Sequence, residues 1–387
     1  MTVNYPPTSF EEIAFTDALT AFGATAQGVA DFWTGALRRR ATPLELAADG
    51  ARWWGLLASR GRPGWSTPHE IVLQASVARL RDFSVPGASA SIVPTLVLPP
   101  QAGHDSCIVD YSAQQSQMRT ILQAGLTRAY ALDWIGATQA TKDAGIGDYL
   151  QVIARSIDHL GGRVNLIGDC QGGWLATIYA ALHPEQINTL TIAGAPIDFH
   201  CGEPVIHAAM RSFAPGGDLA FYRGLVASGG GTLSGEAMLA GFIAIQPDNE
   251  IARQFALLAN VNDPAHVERY QEFEDWFKHT QAIPGQFYLW IVEHLFRDNE
   301  LIAGTLEIGG QRVDVGQIRC PLNLLAGATD HITPPSQVFA LADYAATPAG
   351  DVLRATTAGG HLGLFMGHEA LREHWPQLLA AVQARSV

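Results

Sequence analysis

Apolar residues recur at roughly helical intervals from Phe10 to about Arg40, at Ile13, Phe15, Leu19, Phe22, Val29, Phe32 and Leu37, and a second such stretch runs from Pro43 to Ser59. This period predicts a helical N-terminal extension over residues 1–90. The spacing of Trp33, Trp53 and Trp54 fits burial on such helices, with contact to a partner or a hydrophobic granule as the alternative. After Pro94 short β-rich runs alternate with longer helical segments, which predicts a mostly parallel sheet covered by helices. Strands are expected at residues 95–98, 129–132, 164–167, 190–193, 322–326 and 352–356. Crossover helices are expected at 149–159 and 172–182, the second ended by His183-Pro184. Right-handed crossovers bring the C-terminal ends of these strands to one edge.

The alternation fails between about residues 197 and 317, where Gly-rich loops and mostly helical segments separate two strands. That interval reads as an inserted lid, leaving residues 91–196 and 318–387 as the core. Its aromatic residues, Phe221, Tyr222, Phe287, Tyr288, Trp290 and Phe296 among them, supply surface to roof an apolar pocket or to fill a small core of the lid's own.

Composition narrows the function. With 48% hydrophobic and 16% charged residues, the chain of 387 can bury a large core. A net charge of −13 repels phosphate backbones and weighs against nucleic acid or an anionic membrane as partner. The one basic cluster, Arg38-Arg39-Arg40, falls where cations complement a helix C-terminus. Cys107, Cys170, Cys201 and Cys320 form neither a CxxC pair nor a zinc-like Cys/His cluster, so no metal is expected. Residues 1–7 carry no basic-then-apolar leader, and no run of about 18 apolar residues occurs. A soluble cytoplasmic protein is expected, with a granule surface as a further location.

The chemistry concentrates around residue 170. The β-rich Arg163-Val164-Asn165-Leu166-Ile167 runs into Gly168-Asp169-Cys170-Gln171-Gly172-Gly173 and then into a helical segment. In a strand, Gly-x-nucleophile-x-Gly, helix arrangement the nucleophile sits on a strained turn, and side chains two residues to either side would collide with strand and helix. The turn aims a helix N-terminus at the sulfur and leaves the Gln171 N–H to stabilise an oxyanion. Cys170 is therefore the expected nucleophile. An apolar strand ending in Thr329-Asp330 supplies the acid, and Ala358-Gly359-Gly360-His361-Leu362-Gly363 supplies a histidine on a glycine loop, in the chain order of α/β-hydrolases. His361 is expected as general base and acid, and Asp330 as the group that orients it. His331 is the main rival, but it points away from its neighbour Asp330 on leaving the strand; it is expected beside the site, as is Asp133. A second oxyanion donor is expected from the N–H of Gly103 or His104, in the loop after the first predicted strand.

These motifs resemble those of the polyhydroxyalkanoate synthases, particularly the short synthases that work with a second subunit, from about Pro94 to the C-terminus. Tyr130-Ala131-Leu132-Asp133-Trp134, the Gly168–Gly173 cysteine box, Ala195-Pro196-Ile197-Asp198-Phe199, Asp330-His331-Ile332-Thr333-Pro334 and Gly359-Gly360-His361-Leu362-Gly363 carry the resemblance. It implies an α/β-hydrolase fold and a cysteine acyltransferase. Such an enzyme takes a hydroxyacyl group from a coenzyme A thioester and passes it to the hydroxyl end of a growing polyester. It needs no cofactor beyond the coenzyme A carried by its substrate, and its partners would be a polyester granule and a second subunit or second copy. The family's usual Asn-Arg-Pro-Tyr is replaced here by the loop Gln101-Ala102-Gly103-His104-Asp105-Ser106, which resembles a less characterised bacterial family called synthetase-like. The same triad with water admitted would give a polyester depolymerase, esterase or thioesterase. A non-catalytic granule-associated protein is the third alternative.

Overall fold

A computed structural model describes residues 10–202, 204–245 and 247–386, with side chains from residue 22 onward except that of Pro247. The expectation for residues 1–7 lies outside the described residues, as do the side chains of Ile13, Phe15 and Leu19. The chain divides into two units, one of residues 1–62 with 238–279 and the other of residues 63–237 with 280–387.

The larger unit is organised by an eight-stranded sheet. Its strands are β1 (Glu70–Gln74), β2 (Ala78–Asp82), β3 (Thr95–Leu98), β4 (Ala129–Trp134), β5 (Val164–Asp169), β6 (Ile187–Ala193), β7 (Leu322–Gly327) and β8 (Val352–Thr357). Their spatial order is β1-β2-β4-β3-β5-β6-β7-β8. β1–β2 and β2–β4 pair antiparallel, and every other pair is parallel. This is the α/β-hydrolase fold. From β3 the chain goes outward to β4 and then back across to β5 on the other side of β3, so the carboxyl ends of β3 and β5 flank the crevice where such sheets place their sites. β3 to β7 are buried along their whole lengths, which is why they read as continuous apolar runs.

α1 (Phe10–Arg39) and α2 (Pro43–Ala58) belong to the smaller unit. In the larger unit the sheet is accompanied by α3 (Gln117–Gln123), α4 (Ile146–His159) and α5 (Gln171–Leu182). α5 packs so tightly that every residue from Gly172 to Ala181 is buried. The ring of Tyr149 on α4 stacks on Phe287 at 3.9 Å between centroids. Phe287 is wholly buried and lies 6.0 Å from Trp174, so it belongs to the core beneath the insertion.

Two boundaries differ from expectation. Residues 70–82, expected in the helical extension, form the β1–β2 hairpin. Ala78 and Leu80 are buried while Arg79 and Arg81 are partly exposed, a period of two that suits a strand with one buried face. The interval between β6 and β7 is helical, but it is shared between the units. α6 (Val205–Phe213), α7 (Ala220–Ser228) and residues from 280 onward fall in the larger unit. α9 (Pro247–Ala259) and α10 (Pro264–Phe277) fall in the smaller one, with α8 (Gly235–Ile245) crossing the boundary.

In the smaller unit α1 packs along α9. α1 ends on Arg38-Arg39, and Arg39 also pairs with Asp49 at 2.8 Å. Thr42 and Glu45 form a reciprocal capping box that starts α2. Trp53 is half-buried against a core of Leu257, Val267 and Tyr270, and its Nε1–H donates to the Gln254 carbonyl at 2.9 Å. Trp33 and Trp54 are instead 51% and 67% exposed, against the burial their spacing suggested. The helix period is genuine, but α1 and α2 have more apolar positions than a narrow contact face can cover. No helix among the described residues is long and apolar enough to cross a membrane.

Candidate active site

β5 delivers the chain to Cys170 in a conformation that L-residues avoid. Cys170 has φ 51° and ψ −120°, the geometry of the first central residue of a type II′ turn. Such a residue costs about 1–3 kcal/mol and persists only where its surroundings over-determine it. Here they do. A Cβ on Gly168 would come within 2.5 Å of the Gly173 Cα, and one on Gly172 would collide with the carbonyl oxygens of Leu98 and Pro99. The Cys170 N–H donates to Ala193 on β6 and its carbonyl accepts from Gly173, both at 2.9 Å. The turn is thus clamped between β3, β6 and the first turn of α5. Gln171 is the first residue of α5, so its N–H has no acceptor within the helix.

The other half of the site comes from β7 and β8. Asp330, 4% exposed, follows β7 and accepts on Oδ1 from the N–H groups of Ile332 at 2.9 Å and Thr333 at 2.8 Å. Its Oδ2 accepts from His361 Nδ1 at 2.7 Å. The two loops are bound to each other through the Ala328 N–H on the Thr357 carbonyl at 2.9 Å. Close backbone contact between Gly327 and Gly359 adds to this. With Nδ1 committed to Asp330, Nε2 is the nitrogen left for Cys170, whose sulfur acts electrostatically on the same imidazole. Burial opposes an imidazolium there, but the Asp330 carboxylate and the Cys170 sulfur outweigh it and hold the His361 pKa well above its ordinary value. The ring packs edge-on to Phe365 at 5.5 Å. The structure therefore gathers Cys170, His361 and Asp330 from the ends of three strands.

The remaining expected residues fall elsewhere. His331 is exposed and contributes its carbonyl to Val205. Asp133 is buried, but its carboxylate accepts from Arg81 at 2.6 Å and Arg79 at 3.3 Å on the neighbouring strand β2. Burial raises its pKa and the Arg81 guanidinium works against that. Neither residue takes the supporting place expected of it, because strand alternation and the β2 arginines draw them away. The next residue, Trp134, matters more. Its indole N–H donates to Pro99 at 2.8 Å and its backbone N–H to Ser106 Oγ at 2.9 Å, so it pins both ends of the loop expected to carry the second oxyanion donor. Within that loop Gly103 has φ 78° and gives its carbonyl to the Gln281 N–H, while His104 is buried with Nδ1 on the Ala102 carbonyl. Sequence reading also passed over Asp169 and Gln117, both wholly buried beside the nucleophile turn.

An apolar cleft adjoins the acid loop, lined by Pro196, Phe199, Pro204, Ile206, Phe296 and Ile332. Ile332 shares its backbone with the bond to Asp330, and Gly194, two residues before Pro196, faces His361. The other thiols are chemically quieter. Burial drives the Cys107 thiol far above its ordinary value and pushes Cys320 up to about 12.

Among known proteins, the chain is 26% identical over 278 residues to a poly(3-hydroxyalkanoate) polymerase subunit PhaC of Allochromatium vinosum, covering 70% of this chain and 75% of that one. It is 30% identical over 273 residues to an uncharacterized protein in the ackA 5′ region of Rhizobium meliloti, covering 66% of this chain and 36% of that one. Among solved structures it resembles the 2-hydroxy-6-oxo-6-phenylhexa-2,4-dienoate hydrolase of Rhodococcus sp. strain RHA1. The TM-score is 0.44 at 18% identity, covering 81% of this chain and 99% of that one. The family model described as "Protein of unknown function (DUF3141)" matches residues 76–386, and the chain belongs to that family.

Proposed function

We propose that this protein is a cysteine acyltransferase that builds or extends a hydroxyalkanoate polyester from a hydroxyacyl-coenzyme A thioester. The observation that carries this reading is a sulfur on a strained turn, electrostatically coupled to an imidazole that a buried carboxylate holds. The likeness to polyhydroxyalkanoate polymerase subunits supports the substrate class. Cys170 Sγ attacks the thioester carbonyl while the Gln171 N–H faces the developing oxyanion. The coenzyme A sulfur leaves with a proton from His361, and the acyl group remains as a thioester on Cys170. The terminal hydroxyl of the polyester then attacks that thioester, His361 takes its proton, and the Cys170 thiolate leaves. Asp330 stabilises the imidazolium in both halves.

A thiol suits this exchange. A thioester to cysteine is nearly isoenergetic with one to coenzyme A, so the acyl group stays reactive toward an alcohol. Part of the insertion between β6 and β7 serves as a lid that keeps water from the acyl-enzyme. Phe22, Trp33, Leu37, Leu44 and Trp54 are exposed on α1 and α2 and offer the apolar surface that contact with a polyester granule needs.

Incubation with 3-hydroxybutyryl-coenzyme A and, separately, with hydroxybutyrate oligomers tests the reading. Polymer formed together with free thiol is the expected result. Free acid from either substrate makes the protein a hydrolase of the same fold. No turnover, with Cys170 inert to iodoacetamide, removes the enzymatic reading altogether.

A further inference from the structure

Asp169 ends β5 immediately before Cys170, and its side chain is wholly buried. Its Oδ1 accepts one hydrogen bond, from Gln117 Nε2 at 3.3 Å. Among the described residues its Oδ2 has no hydrogen-bond partner, and neither has Gln117 Oε1, the second polar atom of the same amide. Gln117 opens α3 and is equally buried. Asp169 registers with Ala193 on β6, and its neighbour Gly168 with Leu98 on β3, so both flanking strands present apolar residues. Only burial and the Gln117 amide act on the Asp169 carboxyl, with no charged group contributing among the described residues. Among the described residues no cation forms an ion pair with Asp169.

A carboxylate has only acceptors to offer, and an amide oxygen is another acceptor. Were Asp169 ionised, two buried oxygens on one pair of partners would lack a donor, a costly arrangement in an apolar setting. A single proton satisfies both. We infer that Asp169 is a neutral carboxylic acid, its Oδ2–H donating to Gln117 Oε1 while Gln117 Nε2–H donates to Oδ1, and that this closed acid–amide pair positions the turn presenting Cys170. Burial supports the assignment by raising the Asp169 carboxyl well above the usual range, against the smaller lowering by the Gln117 amide. Asp169 acts through Cys170 and is a positioning residue. Its neutrality keeps a second negative charge away from the sulfur, so that His361 and the start of α5 set the electrostatics there. The positioning role rests on the reading of Cys170 as nucleophile. The protonation state does not.

Asp169→Asn separates these ideas in the full-length protein, because its amide can make the same two hydrogen bonds without an ionisable proton. A carboxyl with a raised folded-state pKa contributes stability that is full below its unfolded value near 3.9 and is lost as pH rises toward the folded value. The Tm of Asp169→Asn should therefore gain steadily on the wild type from about pH 5 to 8. A Tm difference that does not change with pH means that Asp169 is ionised and overturns the assignment. Iodoacetamide alkylation of Cys170 against pH should give overlapping profiles for wild type and Asp169→Asn. A profile displaced to lower pH in the variant reveals a charge that had been acting on the sulfur, and also overturns it. Gln117→Met, which breaks the pair, should slow alkylation about tenfold or more while circular dichroism stays native. Alkylation at the wild-type rate in folded Gln117→Met removes the positioning role. Cys170 resistant to iodoacetamide in the wild type sinks the nucleophile reading, while the Tm comparison still decides the proton.

Discussion

The two sides of the site are built on different principles. On the sulfur's side everything is backbone and sterics: one contiguous strand, turn and helix, with Cys170 at φ 51° and Gly168 and Gly172 where no Cβ fits. On the imidazole's side the elements are two loops from separate strands, joined by the 2.7 Å bond between His361 and Asp330 and by backbone bonds around it. The first side is defined by excluded volume and has no graded alternative. The second is defined by charge and hydrogen bonding, and conservative variants can retune it.

Four changes would break or sharpen this contrast. Cys170→Ala should abolish thiol release from the acyl thioester, whereas Cys107→Ala, Cys201→Ala and Cys320→Ala should retain it; an equal loss at any of those three would count against the proposed nucleophile. Asp330→Asn keeps the shape of the imidazole's side but removes its charge, and should lower kcat by roughly a thousandfold or more in a steady-state assay with the fold intact. Gly172→Ala tests the steric side, since the new Cβ meets backbone carbonyls that cannot turn aside. It should cost about 1–3 kcal/mol or more in urea unfolding, with Cys170 displaced. The smallest effect is the pH dependence of the imidazole's contribution. His361 has its folded pKa raised, so its contribution to stability is complete below the ordinary imidazole value near 6.5 and is lost as pH rises through the raised value. The Tm advantage of wild type over His361→Gln should therefore shrink from mildly acidic to alkaline pH. An advantage independent of pH would mean that the Asp330–His361 bond carries no net charge.

The same contrast explains what could be read in advance. The sulfur's side was legible because one stretch of fourteen or so residues carries its strand period, its glycines and its helix start together. Six of the eight strands were legible for a similar reason, five of them as mostly apolar, fully buried runs bounded by turn residues. The β1–β2 hairpin was not, because five-residue strands bearing Glu70, Arg79, Arg81 and Asp82 carry little apolar signal. The pairing of residues 238–279 with the N-terminal helices was also hidden, since helical periodicity marks an apolar face without naming what covers it. Trp134 could have been noticed, as an indole N–H inside a core must find an acceptor. Asp133 drew attention instead, and its carboxylate answers to Arg81.

By itself the sequence determined the strand, turn and helix around Cys170, the order of nucleophile, acid and histidine, and the parallel character of the sheet. These depend on residues close together in the chain, where sterics and periodicity act without reference to the rest of the fold. Only the tertiary structure decided that Asp133 serves the arginines of β2, that Trp134 pins the loop of residues 99–106, and that Asp169 faces Gln117 across 52 positions of sequence. Such pairings are set by how strands cross and which side chains lose their water together, and burial of a polar group has no signature in a one-dimensional string.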